Sequence, residues 1–230
     1  MNTALTTAVA PAVRIAAVVA CACSAAVVAL VALAVAIGPF RPVHVAAGAI
    51  ALEGNGQTGM YGDPAAAAPY WRLQHSSDCG EMAVADVVGQ TTGHEPGELQ
   101  ITSLARITTS STSAGPIYRR RTGTDVRNLP VLLAHYGVRA SLSQLSIGGL
   151  EQDLARGHKV IAAVNAQTIW NSAGDRNVDN HVVVVTGIDT QTGTVHLNDS
   201  GIKTGRDERV SLATFEKAWA TSQNLAVVTG

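Results

Sequence analysis

Cysteine is scarce in this 230-residue chain, which contains only three, and no two of them form the Cys-x-x-Cys pair typical of structural metal sites. Cys21 and Cys23 lie in an apolar segment, so Cys79 is the single cysteine of the remaining sequence. A lone thiol has no intrachain disulfide partner, and it is therefore buried and inert, paired between chains, or reactive. Since the histidines also lack paired spacing, the sequence predicts no metal ion and no cofactor.

Charged side chains are also few, at 14% of the residues, and the formal net charge is −1. This balance provides no electrostatic reason to expect nucleic acid as a partner. The basic run Arg119–Arg121 lies among Ser, Thr and Gly, a setting typical of a solvated loop. The chain has no internal repeat either, which argues against a repeat architecture.

A long apolar segment is present near the N-terminus, following a short tail over 1–14. Residues 15–38 contain one distinctly polar side chain, Ser24. As a helix this segment would span about 36 Å, against about 30 Å for a bilayer core. It is predicted to be a transmembrane signal anchor, or a signal sequence if cleavage follows the small-residue patterns at 34–36 or 47–49. The rest of the chain would then be extracytoplasmic on the cell membrane, or secreted.

The remaining sequence divides into a predicted flexible Gly/Pro/Ala linker over 39–70 and one globular domain over 71–230. Helical patterns come first in that domain and β-branched strand patterns follow, with one helix before the last strand. This order predicts an α+β fold with N-terminal helices packed on a mainly antiparallel sheet. The predicted helices cover 79–89, 124–137, 148–157 and 211–220, and the predicted strands cover 159–166, 181–189, 194–199 and 224–229.

Cys79 opens the first predicted helix, directly after the potential N-cap Asp78. The positive end of a helix dipole stabilises a thiolate, whereas the Asp78 carboxylate opposes it unless that carboxylate caps the helix. Nucleophilic thiol chemistry also needs a base, an orienting group for the base, and donors for an oxyanion. Gln74, five residues before Cys79, is the candidate side-chain donor.

His181 heads one predicted strand and Asp199 ends the next. If these strands pair through the short connector between them, the Asp199 carboxylate reaches the His181 ring. The result is a nucleophile, base and orienter in the order Cys, His, Asp. Asn198 or Asp179 remains an alternative to Asp199. Trp170 precedes a polar loop and is either a core residue or part of a cleft wall.

Four stretches resemble, in order, the peptidase C-thirty-nine-like family of papain-fold cysteine peptidases, known for cutting double-glycine leader peptides from bacteriocins. The stretches are LQHSSDCGEMAVADVVGQTTG, GTDVRNLPVLLAHYGV, NHVVVVTGID and VHLNDSG. The resemblance implies a papain-like fold and a site made of Gln74, Cys79, His181 and Asp199. Since no transporter or ATPase segment accompanies these stretches, we expect a stand-alone hydrolase.

The functional prediction is a membrane-anchored or secreted cysteine peptidase that hydrolyses peptide bonds through a Cys-His-Asp triad. Its expected partners are a peptide or protein substrate, cell-wall peptide included, and the membrane through the N-terminal helix. Two alternatives stay open: an NlpC-type peptidoglycan endopeptidase, and a non-catalytic papain-fold binding module at the cell surface. The sequence leaves the oligomeric state open.

Overall fold

The structure, a computed structural model, describes residues 59–230. The predicted tail over 1–14, the predicted membrane or signal helix over 15–38 and most of the predicted linker lie outside the described residues. Between residues 59 and 230, no helix combines the length and the apolar character needed to cross a membrane.

The centre of the described domain is a seven-stranded antiparallel sheet. Its strand order is β4-β9-β5-β6-β7-β8, and β1 pairs with the far end of β6. Strands β2 and β3 form a separate two-stranded ribbon. The strands are β1 (Met60–Gly62), β2 (Tyr118–Arg119), β3 (Gly123–Thr124), β4 (Ala140–Gln144), β5 (Val160–Val164), β6 (His181–Asp189), β7 (Thr194–Asn198), β8 (Glu208–Ser211) and β9 (Leu225–Thr229).

Helices cover both faces of this sheet. Side chains of α2, α3 and α4 form one apolar core with residues such as Val182 and Val184 of β6, whereas α5 and α7 form a second core with Val183 and Val185. Successive residues of a strand point to opposite faces, so β6 is apolar at every second position on both sides. The helices are α1 (Pro64–Ala67), α2 (Cys79–Thr92), α3 (Glu98–Ile107), α4 (Leu129–His135), α5 (Ile147–Ala155), α6 (Ala166–Ile169) and α7 (Leu212–Trp219).

The predicted α+β class and mainly antiparallel sheet are confirmed, and two differences concern helices. The helices pack on both faces of the sheet, since α5 and α7 cover the face opposite α2. In addition, α2 continues past Gly89 to Thr92 and ends at Gly93, whose φ of +77° suits glycine. Gly89 is a contact residue inside the helix, because a Cβ there would overlap the ring of Tyr70.

The linker prediction over 39–70 does not hold for the part that the structure describes. Residues 60–62 form β1, antiparallel to residues 187–189 of β6, and α1 follows directly. At Gly62 the φ is +84° and a Cβ would overlap the Thr186 carbonyl oxygen. A three-residue strand is too short to show a periodic pattern in the sequence. Its partner in the sheet, β6, is more than a hundred residues away along the chain.

The loop after β7 is closed by contacts between backbone groups. Asp199 N donates to Gly205 O at 2.8 Å, and Gly205 N donates to Ile202 O at 3.1 Å. A Cβ at position 205 would overlap the Asp199 carbonyl oxygen. The absence of a side chain at Gly205 therefore fixes the backbone that carries Asp199.

Gly205→Ala should lower the free energy of unfolding by about 1–3 kcal/mol, the usual cost of overpacking. The measurement is urea denaturation of the full chain beside Gly148→Ala as the control. A Cβ at Gly148 meets nothing within 4 Å, so that helical position should lose no stability. Equal unfolding midpoints for wild type and Gly205→Ala would contradict the proposed backbone constraint.

Candidate active site

Cys79 is the first residue of α2 and faces a cleft between the helical part of the domain and the sheet. The cleft has a volume of about 780 Å³, and Cys79 is half-buried in its wall. Four other residues singled out in the sequence line the same cleft: Gln74, Trp170, Asp179 and His181. The chain therefore brings the lone thiol and the strand-leading histidine into one solvent-filled space.

His181 and Asp199 form a direct hydrogen bond across the β6–β7 hairpin. His181 Nε2 lies 2.7 Å from Asp199 Oδ1, and both side chains are almost completely buried. The register pairs Val184 with Asn198, so the start of β6 lies beside the end of β7. With Nε2 engaged by Asp199, Nδ1 is the ring nitrogen left for the Cys79 thiol, which interacts with His181 and raises its pKa.

The charge state of His181 depends on these two partners. Burial alone would lower the pKa of His181, but the hydrogen bond and charge of Asp199, together with the interaction with Cys79, raise it to about 10. Burial favours the neutral form of Asp199, yet the hydrogen bond and charge of His181 hold the pKa of that carboxyl below its usual range. The pair is therefore an imidazolium and a carboxylate at neutral pH.

Trp170 fixes the other oxygen of the same carboxylate. Its Nε1 donates to Asp199 Oδ2 at 2.7 Å, and its ring centroid lies 5.1 Å from that of His181. Gly201 N donates to Asp199 Oδ1 at 2.7 Å, and a Cβ at Gly201 would collide with the Trp170 ring. Sequence reasoning treated Trp170 only as a core or cleft-wall residue. Trp170 precedes His181 by only 11 residues in the sequence, and this was the available signal. Closeness along the sequence does not, however, identify a hydrogen-bond partner.

Asn165 fixes the loop that joins Trp170 to His181 through hydrogen bonds to the loop backbone. This buried side chain donates from Nδ2 to Asp175 O at 2.9 Å and to Val178 O at 2.7 Å. Sequence analysis did not identify Asn165, because an asparagine after a strand reads as an ordinary turn residue. Its contacts show that the loop beside the cleft has a defined position.

Gln74 lines the same cleft as Cys79, and hydrogen bonds hold its side-chain amide in one orientation. Its Oε1 accepts from Ser200 Oγ at 2.8 Å, and its Nε2 donates to Ser76 O at 2.8 Å. The backbone N of Gln74 also donates to Ser200 O at 2.9 Å. A side-chain amide has two N–H groups, so one N–H of Gln74 is not used by the Ser76 contact.

Asp78 is the N-cap residue of α2, but its side chain makes no capping hydrogen bond. The carboxyl group is almost completely buried. Burial raises the pKa of Asp78, and the adjacent Glu98 carboxyl raises it further. Glu98 in turn binds His75, with 2.6 Å between Oε2 and Nδ1. Burial and the Glu98 carboxyl therefore disfavour the charged form of Asp78, and its side chain does not cap the helix.

The two alternatives to Asp199 occupy other positions. Asn198 Nδ2 donates to Asp86 Oδ2 at 2.8 Å and to Ala67 O at 3.0 Å, which ties β7 to α2 and to the chain before it. Asp179 lies in the cleft wall. Within residues 59–230, no group of three His, Cys, Asp or Glu side chains is arranged to hold a metal ion.

Together, the fold and the cleft define a class of protein: an α+β domain that aligns a thiol at a helix start, an imidazole at a strand start and a buried carboxylate. The chain belongs to the Peptidase_C39 like family, which matches residues 67–227. The family predicted from the sequence is thus confirmed.

Relatives in other organisms extend this comparison. Uncharacterized proteins of Mycobacterium tuberculosis and Mycobacterium bovis are each 45% identical over 222 residues, covering 85% of this chain and 91% of theirs. A solved structure from Bacillus anthracis, described as a C-thirty-nine-like peptidase, has a TM-score of 0.53 at 18% identity. It covers 71% of this chain and 95% of its own, and this likeness concerns the fold.

Asp199→Asn should lower the pKa of His181 well below about 10, because the main anionic partner is removed. A raised histidine pKa stabilises the fold fully below the unfolded value of about 6.5, and this stabilisation is lost as the pH rises through 10. The variant should therefore show much less loss of stability between pH 7 and 10 than wild type. NMR titration of the His181 ring and urea denaturation at both pH values measure the two effects.

Asp153→Asn is the matched control for this experiment. It removes a carboxylate that lies 3.1 Å from the His158 ring, outside the cleft. The His181 titration should be the same in this variant as in wild type. A His181 pKa that also stays the same in Asp199→Asn would show that Asp199 does not set the charge of the imidazole.

Proposed function

We propose that this protein is a cysteine peptidase of papain-like architecture that hydrolyses peptide bonds through Cys79, His181 and Asp199. The observation that carries the proposal is the His181 imidazole, held at Nε2 by Asp199 in the same cleft that Cys79 lines. Membership of a peptidase family supports the same reaction class.

In the first half of the proposed reaction, the Cys79 thiolate attacks the carbonyl carbon of the scissile peptide bond. The tetrahedral oxyanion accepts hydrogen bonds from the Cys79 backbone N–H and from the N–H of Gln74 that Ser76 does not use. The imidazolium of His181 then donates its Nδ1 proton to the leaving nitrogen as the C–N bond breaks. This step releases an amine and leaves a thioester on Cys79.

In the second half, neutral His181 accepts a proton from water, and the resulting hydroxide attacks the thioester carbonyl. The C–S bond breaks, the acid product leaves, and the thiolate and imidazolium are restored. Asp199 keeps the ring oriented and stabilises its charged form throughout. In the resting state of this proposal, His181 holds the proton that Cys79 has given up, so no additional base is needed.

The substrate in this proposal is a peptide or an unfolded protein segment. The cleft has a volume of about 780 Å³, and its lining residues are mostly polar or small. Arg127 and Asp125 form an ion pair on one wall, with 2.5 Å between NH2 and Oδ2. A wall of this kind suits a peptide backbone, which offers hydrogen-bonding groups along its whole length.

We also propose that the domain acts outside the cytoplasm, either anchored or secreted. The support is the sequence of residues 15–38, which is apolar over a length sufficient for a bilayer.

The thiol of Cys79 should react with iodoacetamide at neutral pH faster than free cysteine does, and His181→Ala should slow this reaction by at least tenfold. The reason is that the imidazolium stabilises the thiolate, which is the reactive form. Peptide-resolved mass spectrometry of the full chain separates labelling of Cys79 from that of Cys21 and Cys23. His158→Ala, outside the cleft, should label like wild type. Slow labelling in wild type, or equal labelling in His181→Ala, would count against the proposal.

Cys79→Ser should abolish hydrolysis of an unfolded protein substrate such as reduced casein, because a serine hydroxyl is not ionised by an adjacent imidazolium. Hydrolysis is followed by mass spectrometry of the released peptides, with His158→Ala as the active control. A second set of reactions contains purified peptidoglycan. Peptide release from peptidoglycan alone would favour an NlpC-type endopeptidase, and reactive Cys79 without any turnover would favour a binding module.

A further inference from the structure

A second carboxyl group, on Glu208, lies next to the carboxylate that orients His181. Glu208 is the first residue of β8 and pairs with Leu197 of β7. Directly opposed residues of antiparallel strands point to the same face, and residues two positions further along are diagonal neighbours within reach of a long side chain. Asp199, the residue directly after β7, is that diagonal neighbour, so the register places its carboxylate within reach of the Glu208 side chain.

If Glu208 and Asp199 were both ionised, the Glu208 carboxylate would lack a hydrogen-bond donor. Oε2 of Glu208 is buried and finds no hydrogen-bond donor among residues 59–230. Ionised carboxylates only accept hydrogen bonds, and two ionised carboxylates that lie close together repel each other. Asp199 already accepts hydrogen bonds from His181, Trp170 and Gly201, so Asp199 is the member that carries the charge.

We propose that Glu208 is a neutral carboxylic acid that donates a hydrogen bond to Asp199 and acts as a positioning residue for the Asp199–His181 pair. A protonated Oε2 can donate a hydrogen bond to Asp199. Protonation therefore gives Oε2 a partner and removes the repulsion between the two carboxyl groups. This inference rests on the proposed function for its effect on catalysis, but the state of the carboxyl can be measured without any activity.

The charges around Glu208 agree with this assignment. Burial raises the pKa of Glu208 to about 8, and the charge and hydrogen bond of Asp199 add to the rise, against a smaller lowering by His181. The adjacent charges are already paired: Asp207 lies 3.1 Å from Arg209 and 2.6 Å from the His196 ring. The guanidinium of Arg206 stacks on the Trp71 ring.

The functional consequence is a pH limit on the orientation of His181. Above about pH 8 Glu208 loses its proton and places a second negative charge beside Asp199. The carboxylate must then move or lose hydrogen bonds, and His181 loses its fixed orientation. Ionisation of Glu208 should therefore reduce turnover before His181 itself loses its proton near pH 10.

The direct test is infrared difference spectroscopy of full-length wild type against Glu208→Gln at pH 6. We expect a protonated-carboxyl C=O band in wild type that is missing from the variant and disappears as the pH is raised through about 8. Glu216→Gln, which changes an exposed glutamate of α7, should keep the band. A difference spectrum with only carboxylate bands would overturn the assignment, whatever the enzyme hydrolyses.

The functional test is the pH profile of kcat/KM and of Cys79 labelling in the same variants. Glu208→Gln keeps a neutral donor, so it should retain at least a third of the wild-type rate at pH 7 and move the alkaline limb from near 8 towards 10. Glu208→Ala should lose on the order of 10-fold in rate at pH 7, as expected for a misplaced catalytic pair. An alkaline limb that stays near 8 in Glu208→Gln would refute the positioning role. Equal labelling of Cys79 in wild type and in His181→Ala would instead refute the proposed function.

Discussion

The hydrogen bond between His181 and Asp199 is the interaction on which the rest of the site depends. It joins two neighbouring strands at the edge of the cleft and is buried from water. Burial of an ion pair costs solvation free energy, so the remaining acceptors must be satisfied for the pair to persist. Trp170 and Gly201 supply those donors, and Gly205 holds the backbone beneath them. In the proposed reaction the chemistry of the thiol depends on this arrangement, because the bond to Asp199 leaves Nδ1 of the ring for Cys79.

Burial of carboxyl groups controls the charge near the thiol. Asp78 precedes Cys79 directly, and as an exposed anion it would weaken the stabilisation that the helix dipole offers to a thiolate. In the folded protein burial raises the pKa of Asp78, and it raises that of Glu81 to about 7. Burial likewise raises the pKa of Glu208, to about 8. The site thus combines one stable anion, Asp199, with several carboxyl groups whose ionisation the fold disfavours.

The elements that were predictable from the sequence are those with a strong local pattern. Strand β6 is a run of valines with a histidine at its start, and α2 begins at the residue expected for it. Strand β4 carries mainly polar residues on the edge of the sheet, and β1 has only three residues, so their identity depends on the strands they pair with. Helix α3 was not predicted, because its exposed Leu99 and Ile107 obscure the amphipathic pattern.

The sequence alone determined the family, the α+β class, and a set of chemically competent groups in which a hairpin of adjacent strands brings His181 beside Asp199. These features are local: a helix start, a strand start and a short connector act within a few residues. The tertiary structure decided what those groups contact, including the Trp170 bond to Asp199, the Ser200 bond to Gln74 and the carboxyl contact of Glu208. The first two contacts join separate segments of the chain, as does the register that places Glu208 near Asp199. No periodicity or propensity encodes them, because their geometry exists only once the sheet and both helical layers have packed.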